Sequence, residues 1–211
     1  MKKSKKTIQQ KLNEGRQFRY VDLGLPTGSS EHHFDTDYYV EGYAATFDPY
    51  VLYEDDSGAV YEESKRSGID SSDMDDVIFV LNHEGRVFAR TSNQTLKLWT
   101  DDHGLGVAVD LSKTEGARQI YEDISTGMLT RMSWSFMPQD YDFDRQSRTL
   151  IHNKVKKIYD VSVVSIPAND GTSISARNFG DGVITEYEKE FSRLAKQRKR
   201  TQLRMRLGET K

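Results

Sequence analysis

Between residues 77 and 111, four short apolar segments follow one another: "VIFVL" (77–81), "RVFART" (86–91), "TLKLWT" (95–100) and "LGVAVDL" (105–111). Each is too short for a stable helix and carries the β-branched and aromatic residues that suit a pleated surface. The gaps between them are turn-length, and a turn can only join antiparallel neighbours, because a parallel pair needs a crossover of a dozen or more residues. This run predicts a β-rich fold, a barrel or sandwich of mainly antiparallel strands.

Other segments extend the pattern. "YYVEGYAATF" (38–47) predicts the first strand of the ordered body, and "RMSWSFMP" (131–138) a strand with Met132, Trp134 and Phe136 on one face and Ser133 and Ser135 on the other. A polar turn, "PQDYDFDRQSR", separates it from "TLIHN" and "KVKKIYDVSVVSIP" (154–167), where Pro167 ends a β-branched run. Residues 48–76 predict a long, acidic, irregular excursion. One helix is signalled by Ser112 and Glu115 as a capping box, by Ala117, Ile120, Tyr121, Ile124 and Met128 at helical spacing, and by Gly127 as a stop. The sum is an α+β class, β-rich, with about six or seven strands in a mainly antiparallel barrel flanked by helices. No internal repeat is present.

The ends differ from the middle. Residues 1–20 carry seven Lys/Arg against one Glu, and residues 186–211 carry nine against four acids, so the net charge of -3 leaves -14 on residues 21–185. The expected division is a flexible basic and polar leader over 1–36, a folded domain over 37–178, and a basic, helical tail over 179–211 with Tyr187, Phe191, Leu194 and Ala195 on one face. The chain has no cysteine, which excludes disulfides, thiolate catalysis and cysteine zinc sites. No apolar run approaches a membrane span, and the basic start lacks the apolar stretch of a secretory signal, so a cytosolic chain is expected. An acidic body argues against specific nucleic-acid binding. The carboxylate clusters at 54–56 and 73–76 lack the spacing of a calcium loop and predict solvated loops, so no metal or cofactor is expected.

Three polar residues stand where catalysis could use them. Ser133 is a small hydroxyl on an otherwise apolar strand, and a hydrolytic serine needs an adjacent base and a group to orient that base. Of five histidines, His83 alone sits where a buried apolar strand meets a glycine turn, in "VIFVLNHEGR". Alternation along "KKIYDVSVVSIPAND" puts Ile158, Asp160 and Ser162 on one face, so Asp160 is a carboxylate within a strand that requires a partner. Each also has a plain structural explanation: a satisfied hydroxyl, a capping or surface imidazole, a carboxylate paired with Lys156, Lys157 or a backbone amide.

Taken together, "LNHEG", "DDHGLGVAVDLSKTEGARQIYEDISTGMLTRMSWSFMP" and "IYDVSVVSIPAND" resemble, in order and spacing, the prohead serine proteases of tailed bacteriophages, the capsid-maturation peptidases related to herpesvirus assemblins. The similarity covers about residues 38–177. It implies an assemblin-like fold with Ser133 as nucleophile, His83 as general base and Asp160 as third member. Two positions depart from the family pattern: Asp160 stands where glutamate is commoner, and Ser135 where glycine is usual, which puts a second hydroxyl on the nucleophile's face. The resemblance further implies cleavage of the scaffolding region of the major capsid protein and of the protease itself, inside the prohead after assembly in the host cytoplasm, with a homodimer as a reasonable state. The competing expectation is a non-enzymatic scaffold or assembly factor with basic arms.

Overall fold

The computed structural model describes residues 16–22, 32–165 and 170–206. Much of the expected leader, the Pro167 stop with the residues after it, and the last five residues lie outside them. Among the described residues ten strands form two sheets. The larger runs β1 (Gln17–Asp22), β9 (Arg131–Asp144), β10 (Thr149–Val164), β4 (Gly58–Ser64) and β3 (Tyr50–Asp55), with β5 (Ile78–Leu81) and β6 (Glu84–Arg90) attached through β10. The smaller runs β2 (Tyr39–Thr46), β8 (Gly104–Asp110) and β7 (Leu96–Thr100). The helices are α1 (Arg66–Asp70), α2 (Glu115–Ser125) and α3 (Asp170–Arg206). None of them is long and apolar enough to cross a membrane.

The β-rich expectation holds, and all four segments of the 77–111 run are strands. The closed barrel does not: the ladders define two open sheets, and two pairings are parallel. The cause is β10. One edge pairs with β9 along nearly its whole length, while the other is shared, β4 taking its start and β5 its end. The stretch from β4 through α1 to β5 is therefore a crossover that returns the chain to the same strand. Gly68 in α1 permits it, since a Cβ there would lie 2.4 Å from the carbonyl oxygen of Asn153.

Residues 48–76 form the β3–β4 hairpin and α1 in place of the expected irregular excursion. The hairpin turns on Asp56–Ser57, with Gly58 at φ 111°. Several of its carboxylates have basic partners: Asp55 accepts from Arg148 at 2.6 Å and Asp73 from Lys157 at 2.7 Å. The expected polar turn after Pro138 is mostly strand, because β9 continues to Asp144 and only residues 145–148 turn. "TLIHN" and the run after it are one continuous strand, β10.

β1 lies inside the expected leader, paired antiparallel with β9. Its alternation explains why. Arg19 lies opposite Trp134 and reaches Glu62, while Phe18 lies opposite Ser135. Both faces thus have work in the interior despite the low apolar content.

The core lies between the sheets and α2. Met132, Trp134 and Phe136 of β9 meet Phe79, Leu105, Val107, Val161 and Val163, and the rings of Trp134 and Phe136 stack at 4.1 Å. Each such side chain contributes about 1.5–3 kcal/mol by leaving water. α2 adds Ala117, Ile120 and Ile124. Its cap is Thr114, whose hydroxyl accepts from the amide of Ala117 at 3.2 Å; the expected Ser112 lies two residues upstream and makes no cap. Gly127, at φ 77°, follows the helix end as expected, but Met128 is exposed beyond it.

β8 is buried throughout, and Gly104 shows how tightly β2 closes on it. A Cβ at Gly104 would lie 2.0 Å from the carbonyl oxygen of Ala45, and backbone cannot swing aside as a side chain can. Gly104→Ala is expected to lower unfolding stability by about 1–3 kcal/mol, measurable as a lower urea midpoint at unchanged slope.

α3 packs on the body around Val183 and Tyr187 and then leaves it. Val183 is buried and the Tyr187 hydroxyl donates to Asp142 at 2.7 Å, whereas Phe191 is 59% exposed. The expected basic helix is thus present, and the distal part of its described apolar face is open to solvent.

Candidate active site

His83 occupies a two-residue hairpin turn between β5 and β6. Asn82 and His83 have φ of 53° and 61°, both left-handed, as tight turns of the type I′ kind require. Such a conformation costs energy in a residue with a Cβ and persists only when neighbours hold it. Here the Asn82 amide donates to the carbonyl of Val163 at 3.0 Å, and its side chain bonds Ser165 in both directions. The amide of His83 donates to the Ser162 hydroxyl at 3.2 Å. The imidazole is therefore fixed to the end of β10, the strand that carries Asp160.

Asp160 reaches the site through a β-bulge. Ile158 lies opposite Phe136 on the core face, but the next paired residue is Asp160, opposite Ser135. The register shift between them corrects the expected alternation: Ile158 faces the core and Asp160 the opposite side, with Ser162. A bulge re-aims side chains in this way. Ser162 then lies directly opposite Ser133.

The three predicted residues converge. His83 Nδ1 donates to Asp160 Oδ1 at 2.5 Å, and Nε2 stands 2.5 Å from Ser133 Oγ. An ionised carboxylate only accepts, so the ring proton belongs on Nδ1 and Nε2 is left to accept from the serine hydroxyl. Ser133 is fully buried, at 0% exposure, and the edge of the Phe18 ring covers the imidazole with centroids 4.7 Å apart.

Ser162 and Arg16, neither assigned a role from sequence, and Ser135 complete the surroundings of Asp160. The Ser162 hydroxyl donates to Oδ1 at 2.9 Å and lies 3.0 Å from His83 Nδ1. Ser135 donates to Oδ2, as does the guanidinium of Arg16. Burial alone would push this carboxyl up. The hydrogen bond and charge of His83, the Ser135 hydroxyl and the Arg16 charge outweigh it and hold the group below the ordinary aspartate range. Ser135, the expected rival hydroxyl, donates to the carboxylate and accepts from Arg16 Nε and Nη2 at 3.1 and 2.7 Å.

On the other side of β9 lies a second buried polar group. Glu62, at 0% exposure, accepts from Arg19 through both oxygens, from the Tyr50 hydroxyl, and from His152 Nε2 at 2.7 Å. It joins β1, β3, β4 and β10.

A hydroxyl, an imidazole and a buried carboxylate in sequence make the arrangement of a serine hydrolase. A family model that matches the chain agrees with that class. The model of the caudovirus prohead serine proteases matches residues 25–183, most of the chain, and the chain belongs to that family. No curated protein and no solved structure matches it. Membership makes it a serine protease by family and associates it with bacteriophage capsid maturation.

Proposed function

We propose that the chain is a serine endopeptidase that cleaves the scaffolding region of the major capsid protein, and its own termini, inside the prohead after assembly in the host cytoplasm. Ser133 is the nucleophile, His83 the general base and Asp160 the third member. The observation that carries the reading is the unbroken pair of 2.5 Å hydrogen bonds from Ser133 through His83 to Asp160.

The chemistry follows from these positions. His83 Nε2 takes the Ser133 proton as Oγ attacks the scissile carbonyl, and Asp160 balances the imidazolium that forms. The imidazolium then protonates the leaving amine, and water, deprotonated by the same nitrogen, releases the acyl-enzyme. Every step uses only this chain's side chains and water.

The proteolytic unit is residues 37–178 together with β1, and the basic arms dock the enzyme on acidic partners within the shell. A homodimer is compatible with this arrangement. Incubation with the phage's own capsid protein precursor tests the reading by intact mass. Shortened capsid protein and a shortened protease are expected with the parent and neither with Ser133→Ala. Full-length proteins in both incubations would favour the scaffold-factor reading.

A further inference from the structure

Arg16 immediately precedes β1 and lies outside the matched residues 25–183. Its side chain is 18% exposed. Nη2 donates to Asp160 Oδ2, and Nε and Nη2 both donate to the Ser135 hydroxyl, which itself donates to the same carboxylate oxygen. The guanidinium lies 4.3 Å over the ring of Tyr159, which fixes its plane. Asp160 is thereby divided: Oδ1 serves His83 and Ser162, and Oδ2 serves Arg16 and Ser135.

That division has two physical consequences. A carboxylate can rotate about its last torsion; Nη2 of Arg16 on one oxygen, with the guanidinium anchored through Nε and Nη2 on the Ser135 hydroxyl that bonds the same oxygen, keeps the other from swinging away from Nδ1. A buried carboxylate is, moreover, costly unless paired; Arg16 neutralises it before any reaction begins.

We propose that Arg16 is a positioning residue of the peptidase, holding the outer oxygen of Asp160 so that the inner one stays aligned with His83. The proposal rests on the reading of Ser133, His83 and Asp160 as the catalytic set. It extends the apparatus into the N-terminal segment: self-cleavage that preserves activity must fall before residue 16.

The test is the rate of Ser133 labelling by a fluorophosphonate, followed by intact mass in the full chain. Arg16→Ala is expected to slow labelling about 10- to 100-fold. Added methylguanidine should restore part of that rate in Arg16→Ala and leave the parent unchanged, because a free guanidinium can bond the vacated oxygen of Asp160. Arg16→Lys keeps the charge without the planar guanidinium, so its rate falls below the parent's. A purely structural role would lower rates without rescue by the free guanidinium. An Arg16→Ala rate equal to the parent's, or one that methylguanidine leaves unchanged, overturns the proposal; if that variant melts too low to assay, an Arg16→Lys rate equal to the parent's does so. Parent protein unlabelled at Ser133 would instead overturn the catalytic reading on which the proposal rests.

Discussion

Ser133→Ala is expected to reduce peptide hydrolysis about 10⁵- to 10⁶-fold while leaving the fold in place. The loss is large because, in the proposed mechanism, the hydroxyl forms the covalent intermediate, and neither His83 nor Asp160 can replace it. At about 1.4 kcal/mol per factor of ten, it corresponds to roughly 7–8 kcal/mol of transition-state stabilisation. The fold should survive because the apolar face of β9 is untouched: Met132, Trp134 and Phe136 stay in the core. Ser135 should not rescue the variant, since its hydroxyl is directed to Asp160. Hydrolysis of a fluorogenic peptide, read beside a thermal melt, separates lost chemistry from lost structure.

The largest effect on stability is expected on the other side of the same strand. Glu62→Gln leaves the buried Arg19 guanidinium without its carboxylate, and breaking a buried pair in this way costs about 3–5 kcal/mol. In a domain of this size, that lowers Tm on the order of 10 °C. Arg148→Ala removes an ion pair of similar length, to Asp55, in which both side chains are about a third exposed, and should cost under about 1 kcal/mol.

The pH dependence follows from the direction of the shift. Burial would raise the Glu62 carboxyl, but Arg19 and His152 overcome it and hold the group well below the usual glutamate range. A depressed value means that the stabilisation is complete above the unfolded value of about 4.3 and is lost as pH falls through the folded one. The difference between parent and Glu62→Gln in urea should therefore be flat from pH 7 to about pH 5 and narrow only in stronger acid.

How much of this was legible in the residues depended on local pattern. The strands between 77 and 111 show in their apolar runs, and His83 could be singled out because a strand, an Asn-His pair and a glycine stand in succession. Ser133 was visible from alternation on β9. Asp160 was found, but its face was misassigned relative to Ile158, because a β-bulge inserts a residue without any marker that alternation detects. The β3–β4 hairpin was hidden by its acids, although "YVLYEDDSGAVYEES" alternates on either side of an Asp-Ser turn. β1 was hidden more deeply. Its arginines read as a solvated basic leader, whereas Arg16 and Arg19 each answer a buried carboxylate more than forty residues away in the chain. Long-range charge pairing leaves no local signature, and Arg16 was missed for that reason.

The account depends most on one hydroxyl being activated by one imidazole. Peptide mapping of the fluorophosphonate adduct tests this directly in the parent protein, Ser133→Ala and His83→Ala. A single adduct on Ser133 is expected in the parent, none in Ser133→Ala, and labelling slowed by several orders of magnitude in His83→Ala. An adduct on Ser135, or labelling of Ser133 that is indifferent to His83, would contradict it.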